Sequence, residues 1–137
     1  NVDNADEVVG KTFGVEKGCG AASALLGFRG GLVRVKVTIF KDGVDAARMV
    51  LTGQVDAAYV SRAQAEGAIH AAGAKGDWTL SSMPLPGVMP AGWPLGMAVK
   101  ANNTALATAL DEALASLRQS GELLRIFKSH GLTLSAP

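Results

Sequence analysis

The alternation of strand-like and helix-like segments is the feature that most constrains the fold of this chain. Residues 33–40 alternate β-branched and polar side chains as a strand does, and a helix-like segment follows them after a Lys-Asp-Gly turn. The predicted order is strand 11–16, helix 21–28, strand 33–40, helix 44–52, strand 56–60, helix 62–72, strands 78–82 and 95–99, a long helix after Asn103 and a short second helix. Such alternation predicts an α/β fold with a mostly parallel sheet flanked by helices.

Composition excludes several classes of function. The net charge of the 137 residues is only +1, which argues against a nucleic-acid binder. A single cysteine excludes an internal disulfide, and two histidines beside it lack metal-ligand spacing, so we expect no metal and no cofactor. No apolar stretch reaches the roughly 18 residues that a membrane span needs.

The first strand leads into the glycine-rich turn Gly18-Cys19-Gly20-Ala21 and then into a helix. Free backbone N–H groups at such a helix start attract anions, so the turn is either an anion site or a plain tight turn. It is not a phosphate-binding P-loop, and Ser23 stands where the dinucleotide fingerprint needs its third glycine. A nucleophilic role for Cys19 would need a nearby histidine, so a small turn residue is the favoured interpretation.

A second candidate position follows the strand 56–60. Ser61 and Arg62 would offer a hydroxyl and a cation to a ligand, or they are an ordinary helix N-cap and a surface arginine. Both interpretations stay open. Tyr59, near the end of the same strand, is a further candidate ligand-binding residue, because ligands of parallel sheets bind beyond the carboxyl ends of the strands.

Three motifs together resemble a known family. "GKTFGVEKGCGAAS", "GVDAARMVLTGQVDAAYVS" and "PLGMAVKANNTALATALDEALASLRQSGELLRIFKSHGL" are similar, in this order, to the second lobe and C-terminal helices of the type II periplasmic solute-binding proteins, in the amino-acid-binding branch. The resemblance runs from about residue 9 to residue 132. It implies a non-enzymatic, periplasmic or extracellular protein that captures a small solute for the membrane subunits of an ABC importer.

The resemblance also implies roles for particular residues. The turn at residues 18–21 would bind the carboxylate of the solute, with Cys19 in a place where the family usually has Thr or Ser. Ser61 stands where the family has an aspartate for the α-ammonium group of an amino acid. Because a hydroxyl cannot neutralise a buried ammonium, we expect a polar or anionic solute rather than an ordinary α-amino acid.

The resemblance predicts two parts, a ligand-binding lobe at residues 1–100 and a C-terminal helical segment at residues 101–137. The first lobe of the family is missing, so the chain is a fragment, pairs with another chain, or has lost the binding role. An apolar stripe on the long helix would then need a second chain or self-association to cover it. The stripe consists of Leu106, Leu110, Leu114 and Leu117.

Two other functions stay open beside solute capture. The same lobes occur in ligand-sensing ectodomains of signalling receptors, so the chain is alternatively a sensor. Some relatives of the fold are cyclohexadienyl dehydratases, but that chemistry needs a positioned acid. The one carboxylate near a predicted ligand-facing strand end is Glu66, one turn into a helix.

Overall fold

The computed structural model describes residues 6–73, 78–82 and 94–135. Within them, three parallel strands form a sheet in the order β2-β1-β3, and helices flank it. The elements are β1 Phe13–Glu16, α1 Gly20–Gly27, β2 Val37–Phe40, α2 Gly43–Leu51, β3 Ala57–Tyr59, α3 Arg62–Ala71, α4 Thr104–Gln119 and α5 Glu122–Ser129. The α/β prediction is confirmed, and the architecture is compatible with one lobe of a type II periplasmic binding protein.

The chain divides into two compact units, Asn1–Gly92 and Trp93–Pro137. The sheet and α1 to α3 belong to the first unit, and α4 and α5 pack together in the second. None of the described helices is both long enough and apolar enough to cross a membrane. The resemblance assigns ligand binding to residues 1–100 and a helical packing segment to residues 101–137, and both assignments stay predictions.

The main core lies between the sheet and α1. Phe13 and Val15 project from the same face of β1 because side chains alternate along a strand, and both are buried. Leu25 of α1 is fully buried against them, and each such side chain contributes about 1.5–3 kcal/mol by leaving water. The buried cluster comprises Val8, Phe13, Val15, Ala22, Leu25, Phe28 and Val33.

The opposite face of the sheet is covered by small side chains. Ala46 and Ala47 of α2 are buried there, and Ala65 and Ala68 are buried on α3, which packs against α2. Gly14, in the middle of β1, allows the close approach of α2. A Cβ at that position would lie 3.1 Å from the Phe40 ring and 3.2 Å from the backbone oxygen of Ala46.

The strand predicted at residues 33–40 is shorter in the structure. Residues 34–36 form a 3₁₀ turn, in which the Lys36 amide donates to the Val33 carbonyl oxygen at 2.8 Å. Val33 is buried, whereas Val35 is 92% exposed, so the alternating pattern does not mark one sheet face. The physical reason is the length of β1: its four residues offer only the ladder positions from Phe13 opposite Val37 to Glu16 opposite Phe40.

The strands predicted at residues 78–82 and 95–99 are wrong, since the structure has no regular secondary structure there. Leu95 is 90% exposed, and Pro94 and Gly96 are residue types that weaken a strand. The sequence also predicts an irregular segment at residues 83–94, which is rich in proline and glycine, and this segment lies outside the described residues except for Pro94. The sequence further predicts a polar lead-in at residues 1–10 and a loop at residues 73–76, and of these residues 1–5 and 74–76 lie outside the described part of the chain.

Candidate functional site

The carboxyl ends of the three strands meet at one edge of the sheet, and each is followed closely by a helix. This carboxyl edge is where ligands of parallel α/β sheets bind. The first two turns are joined by their backbones, because the Lys17 amide donates to the Phe40 carbonyl oxygen at 2.9 Å. The predicted site residues of the β1–α1 and β3–α3 turns therefore share this edge.

The β1–α1 turn is open and has a cysteine cap. Gly18 adopts φ +75°, a conformation that favours glycine, and its side-chain position faces open space. The Cys19 thiol donates to the Glu16 carbonyl oxygen at 3.0 Å, and its sulfur accepts from the Ala22 amide at 3.3 Å. The thiol is therefore the N-cap of α1.

The first turn of α1 has two backbone amides that no described residue accepts from. The capping sulfur satisfies the third amide of the helix, and the Ser23 amide donates to the Cys19 carbonyl oxygen. The amides of Gly20 and Ala21 have no partner among the residues that the structure describes. Two adjacent N–H groups with the positive end of a helix behind them are suited to an anionic group.

In the β3–α3 turn, unlike the β1–α1 turn, the polar side chains already bond to one another. The Ser61 side chain caps α3, accepting from the Gln64 amide at 3.3 Å and donating to Gln64 Oε1 at 3.0 Å. Arg62 is exposed and lies 3.5 Å from the Glu66 carboxylate. Ser61 is therefore the N-cap of α3, as one of the two interpretations of the sequence predicted. A ligand-binding role for Ser61 and Arg62 stays a prediction.

Tyr59 lies on the α1 side of the sheet. It is half-buried and packs against the main core, opposite Val15 in the sheet register. Its side chain is therefore part of the packing of the main core, and its role in binding stays a prediction. Glu66, the acid considered for a dehydratase, forms its ion pair on the first turns of α3.

The β2–α2 turn differs from the other two in charge. Asp42 caps α2 by accepting from the Asp45 amide at 2.9 Å, and Asp45 is itself acidic in the first turn. These carboxylates already complement the helix dipole and would repel an anion. The first turn of α1 has no acidic residue, and the exposed Lys17 precedes it. An anion is therefore favoured at α1 over α2.

The structure brings no catalytic or metal cluster to this edge within its described residues. His70 is in the last turn of α3, and a helix after a parallel strand runs back toward the amino ends of the strands, away from Cys19. This arrangement gives no Cys19–His70 dyad. In the described ranges, no three His, Cys, Asp or Glu side chains are grouped so that they could hold a metal ion.

Sequence reasoning missed two residues of the carboxyl edge, Glu16 and Gln64. Gln64 Nε2 donates to Glu16 Oε2 at 2.6 Å, which joins the end of β1 to the start of α3. The Ser-x-x-Gln spacing of a capping box was a sequence signal for Gln64. No local signal reveals its contact with Glu16, because the two residues are 48 positions apart.

Comparisons with known proteins add no relative: no family model, no curated protein and no solved structure matches the chain.

Proposed function

We propose that this chain is the ligand-binding lobe of an extracytoplasmic solute-binding protein. It captures a small polar or anionic solute in the periplasm or at the cell surface, and the membrane subunits of an ABC importer receive it. The chain binds and performs no chemistry on the solute. The three motifs of the sequence and the parallel sheet with its flanking helices support this proposal.

The observation that carries the proposal is the pair of amides at the start of α1. Gly20 and Ala21 present their N–H groups at the carboxyl edge, next to an open glycine turn. Hydrogen bonds to charged groups contribute about 1.5–3 kcal/mol each, which is enough for two amides to select an anionic group.

The proposed function also requires a second chain or a second copy of this one, which would complete the binding cleft. In a two-lobed cleft the other side of the solute is covered by another lobe, and the C-terminal helices pack on it or on a second copy. Leu106 on α4 is 44% exposed, and Leu124 and Ile126 on α5 are 40% and 38% exposed. Covering these side chains would remove apolar surface from water, which favours association.

The experiment removes one amide without disturbing the fold. Gly20→Pro deletes the N–H at the first helical position, where proline is well tolerated, and Cys19 before it already has the extended backbone (φ −85°, ψ 162°) that proline requires. Gly20→Ala is the matched control, because it keeps the N–H and its methyl faces open space.

Binding of carboxylates, sulfate, sulfonates and phosphate esters is measured by isothermal titration calorimetry and NMR. We expect Gly20→Pro to weaken binding about tenfold or more and Gly20→Ala to leave it unchanged. Equal affinities of the two variants would remove the α1 amides from the site. The absence of any anion binding by the wild-type chain would contradict the proposed function.

A further inference from the structure

The outer side of β2 is an open edge of the sheet. β1 is the only described strand that pairs with β2. The Lys17 amide donates to the Phe40 carbonyl oxygen, and the backbone groups of successive residues point to opposite sides of a strand. Thr38 and Phe40 therefore direct their backbone groups to β1, whereas Val37 and Ile39 direct theirs outward. An unpaired edge of this kind is a template for another strand.

Apolar side chains are exposed along this open edge. Val37 and Ile39 project to the face of the sheet that carries α1, because their partners in β1 belong to the main core. Val37 packs against that core, but Ile39 is 49% exposed. Val35, just before the strand, is 92% exposed, and Leu32 is 56% exposed. Apolar side chains beside unpaired backbone groups favour the docking of a further strand.

The residues before β2 have a strand pattern that the single chain does not use. β-Branched and polar side chains alternate over residues 33–40, yet residues 34–36 form a 3₁₀ turn, because β1 has no ladder position for them. Local backbone bonds close this turn, such as the bond from the Val37 amide to the Arg34 carbonyl oxygen. A strand outside β2 would supply the partners that β1 lacks, and the alternating residues would then extend β2.

The segment is complementary to itself in an antiparallel register with a two-fold axis at Thr38. Val37 of each copy then lies opposite Ile39 of the other copy. Both residues have outward backbone groups, as a hydrogen-bonded antiparallel pair requires, and both are β-branched residues whose cross-strand contacts stabilise a sheet. A shift of the register by one residue would place an outward-facing residue opposite an inward-facing one.

The charges at the two ends of the segment agree with this register. Arg34 of each copy lies opposite Asp42 of the other copy. Arg34 is exposed, has no ion pair among the described residues, and contacts the Leu26 carbonyl oxygen only at 3.4 Å. Asp42 has an extended backbone and caps α2 with Oδ1, which leaves Oδ2 for the arginine. Opposite charges in a cross-strand pair stabilise it, and this register places no two like charges directly opposite.

We infer that β2 pairs with β2 of a second copy of this chain, so that residues 34–42 of the two copies form an antiparallel pair and the two sheets become one. The pairing covers the backbone edge beside Val35 and Ile39. The carboxyl edges of the two sheets lie at opposite ends of the joined sheet, because the pair is antiparallel. This copy therefore does not complete the binding cleft, and the inference goes beyond the proposed function and does not depend on it.

The first test is the oligomeric state of the full 137-residue chain, measured by sedimentation equilibrium over a wide range of concentrations. Thr38→Lys places two lysines opposite each other at the axis, and like charges directly opposite destabilise a strand pair. Thr38 is exposed, so the variant should keep the fold, which its amide NMR spectrum verifies. Thr108→Lys, at an exposed position of α4, is the matched control.

Disulfide cross-linking tests the register itself. In a Cys19→Ser background, Thr38→Cys should cross-link to its own copy under mild oxidation. The Cα atoms of a non-hydrogen-bonded antiparallel pair are about 4.5 Å apart, which is within the range of a disulfide. Lys36→Cys is the matched control in the same segment, because the two copies of residue 36 would lie about 13 Å apart along the strands.

We expect a reversible monomer–dimer equilibrium of the wild-type chain. Thr38→Lys should raise its dissociation constant about fivefold or more, Thr108→Lys should leave it unchanged, and Thr38→Cys should cross-link where Lys36→Cys does not. A wild-type chain that stays monomeric at the highest concentration, or equal cross-linking of the two cysteine variants, would overturn the inference. A dimer that Leu106→Lys on α4 weakens and Thr38→Lys does not would also overturn it, because the interface would then lie on the C-terminal helices. Anion binding at the start of α1 is measured separately, so each of these results leaves the proposed function standing.

Discussion

The close packing of α2 on the sheet makes Gly14→Ala a sensitive test of the fold. The added methyl group would lie 3.1 Å from Cε2 of Phe40, 3.2 Å from the backbone oxygen of Ala46 and 3.3 Å from its Cβ. The Phe40 ring has room to shift, but Ala46 lies in the middle of α2 and its backbone can move only with the helix. Overpacking of this kind costs about 1–3 kcal/mol, and loss of a glycine from the unfolded chain offsets about 0.4–1 kcal/mol.

We therefore expect Gly14→Ala to lower the free energy of unfolding by about 1–2 kcal/mol. Hydrogen exchange of the slowest β1 amides measures this change, because it reports on the unit that contains the sheet. Gly27→Ala at the end of α1 is the matched control, since its methyl meets no atom within 4 Å and it should be neutral or stabilising. A Gly14→Ala variant as stable as the wild type would refute the close approach of α2.

Two further predictions concern hydrogen bonds at the amino and the carboxyl ends of the strands. Hydrogen bonds from the backbone amide of Thr12, and next from its hydroxyl, hold the pKa of the Asp56 carboxyl below its ordinary value. The resulting stabilisation is present above the pKa of the unfolded chain and is lost as the pH falls through the lower pKa of the folded protein. Denaturation at several pH values should therefore show a smaller difference in stability between wild type and Asp56→Asn at pH 2 than at pH 7. A constant difference over that range would contradict this assignment. Ser61→Ala removes the cap of α3 and should lower the free energy of unfolding, measured by urea denaturation, by about 1 kcal/mol. The control Ser116→Ala, on the exposed surface of α4, should lower it by less than about 0.5 kcal/mol. Equal effects of the two substitutions would contradict the capping role.

The local elements were largely predictable from the sequence because their signals are local. Glycine ends, side-chain caps and apolar periodicity gave α2 and α3 to within one residue. The β1–α1 turn was predictable for the same reason, since the Gly-Cys-Gly run is short and needs no distant partner. The parallel direction of the strands followed from the alternation of strands and helices.

The errors arise where tertiary pairing decides the structure. The start of β2 depends on the length of β1, which the sequence of residues 33–40 does not contain. The apolar run at residues 95–99 looks like a strand, yet no described strand pairs with it. The contact of Gln64 with Glu16 was equally hidden, because it depends on the packing of α3 beside the end of β1 and on the missing side chain of Gly43.

In the proposed function, the start of α1 binds the anionic group of a solute. This binding is tested by the ¹H–¹⁵N shifts of the Gly20 and Ala21 amides as the carboxylates, sulfate, sulfonates and phosphate esters named above are added to the wild-type chain. We expect saturable shifts that are largest at these two amides and small at the carboxylate-capped start of α2. Shifts that are absent, or that are largest at the amides of Gly43 and Val44, would exclude the start of α1 as the anion site.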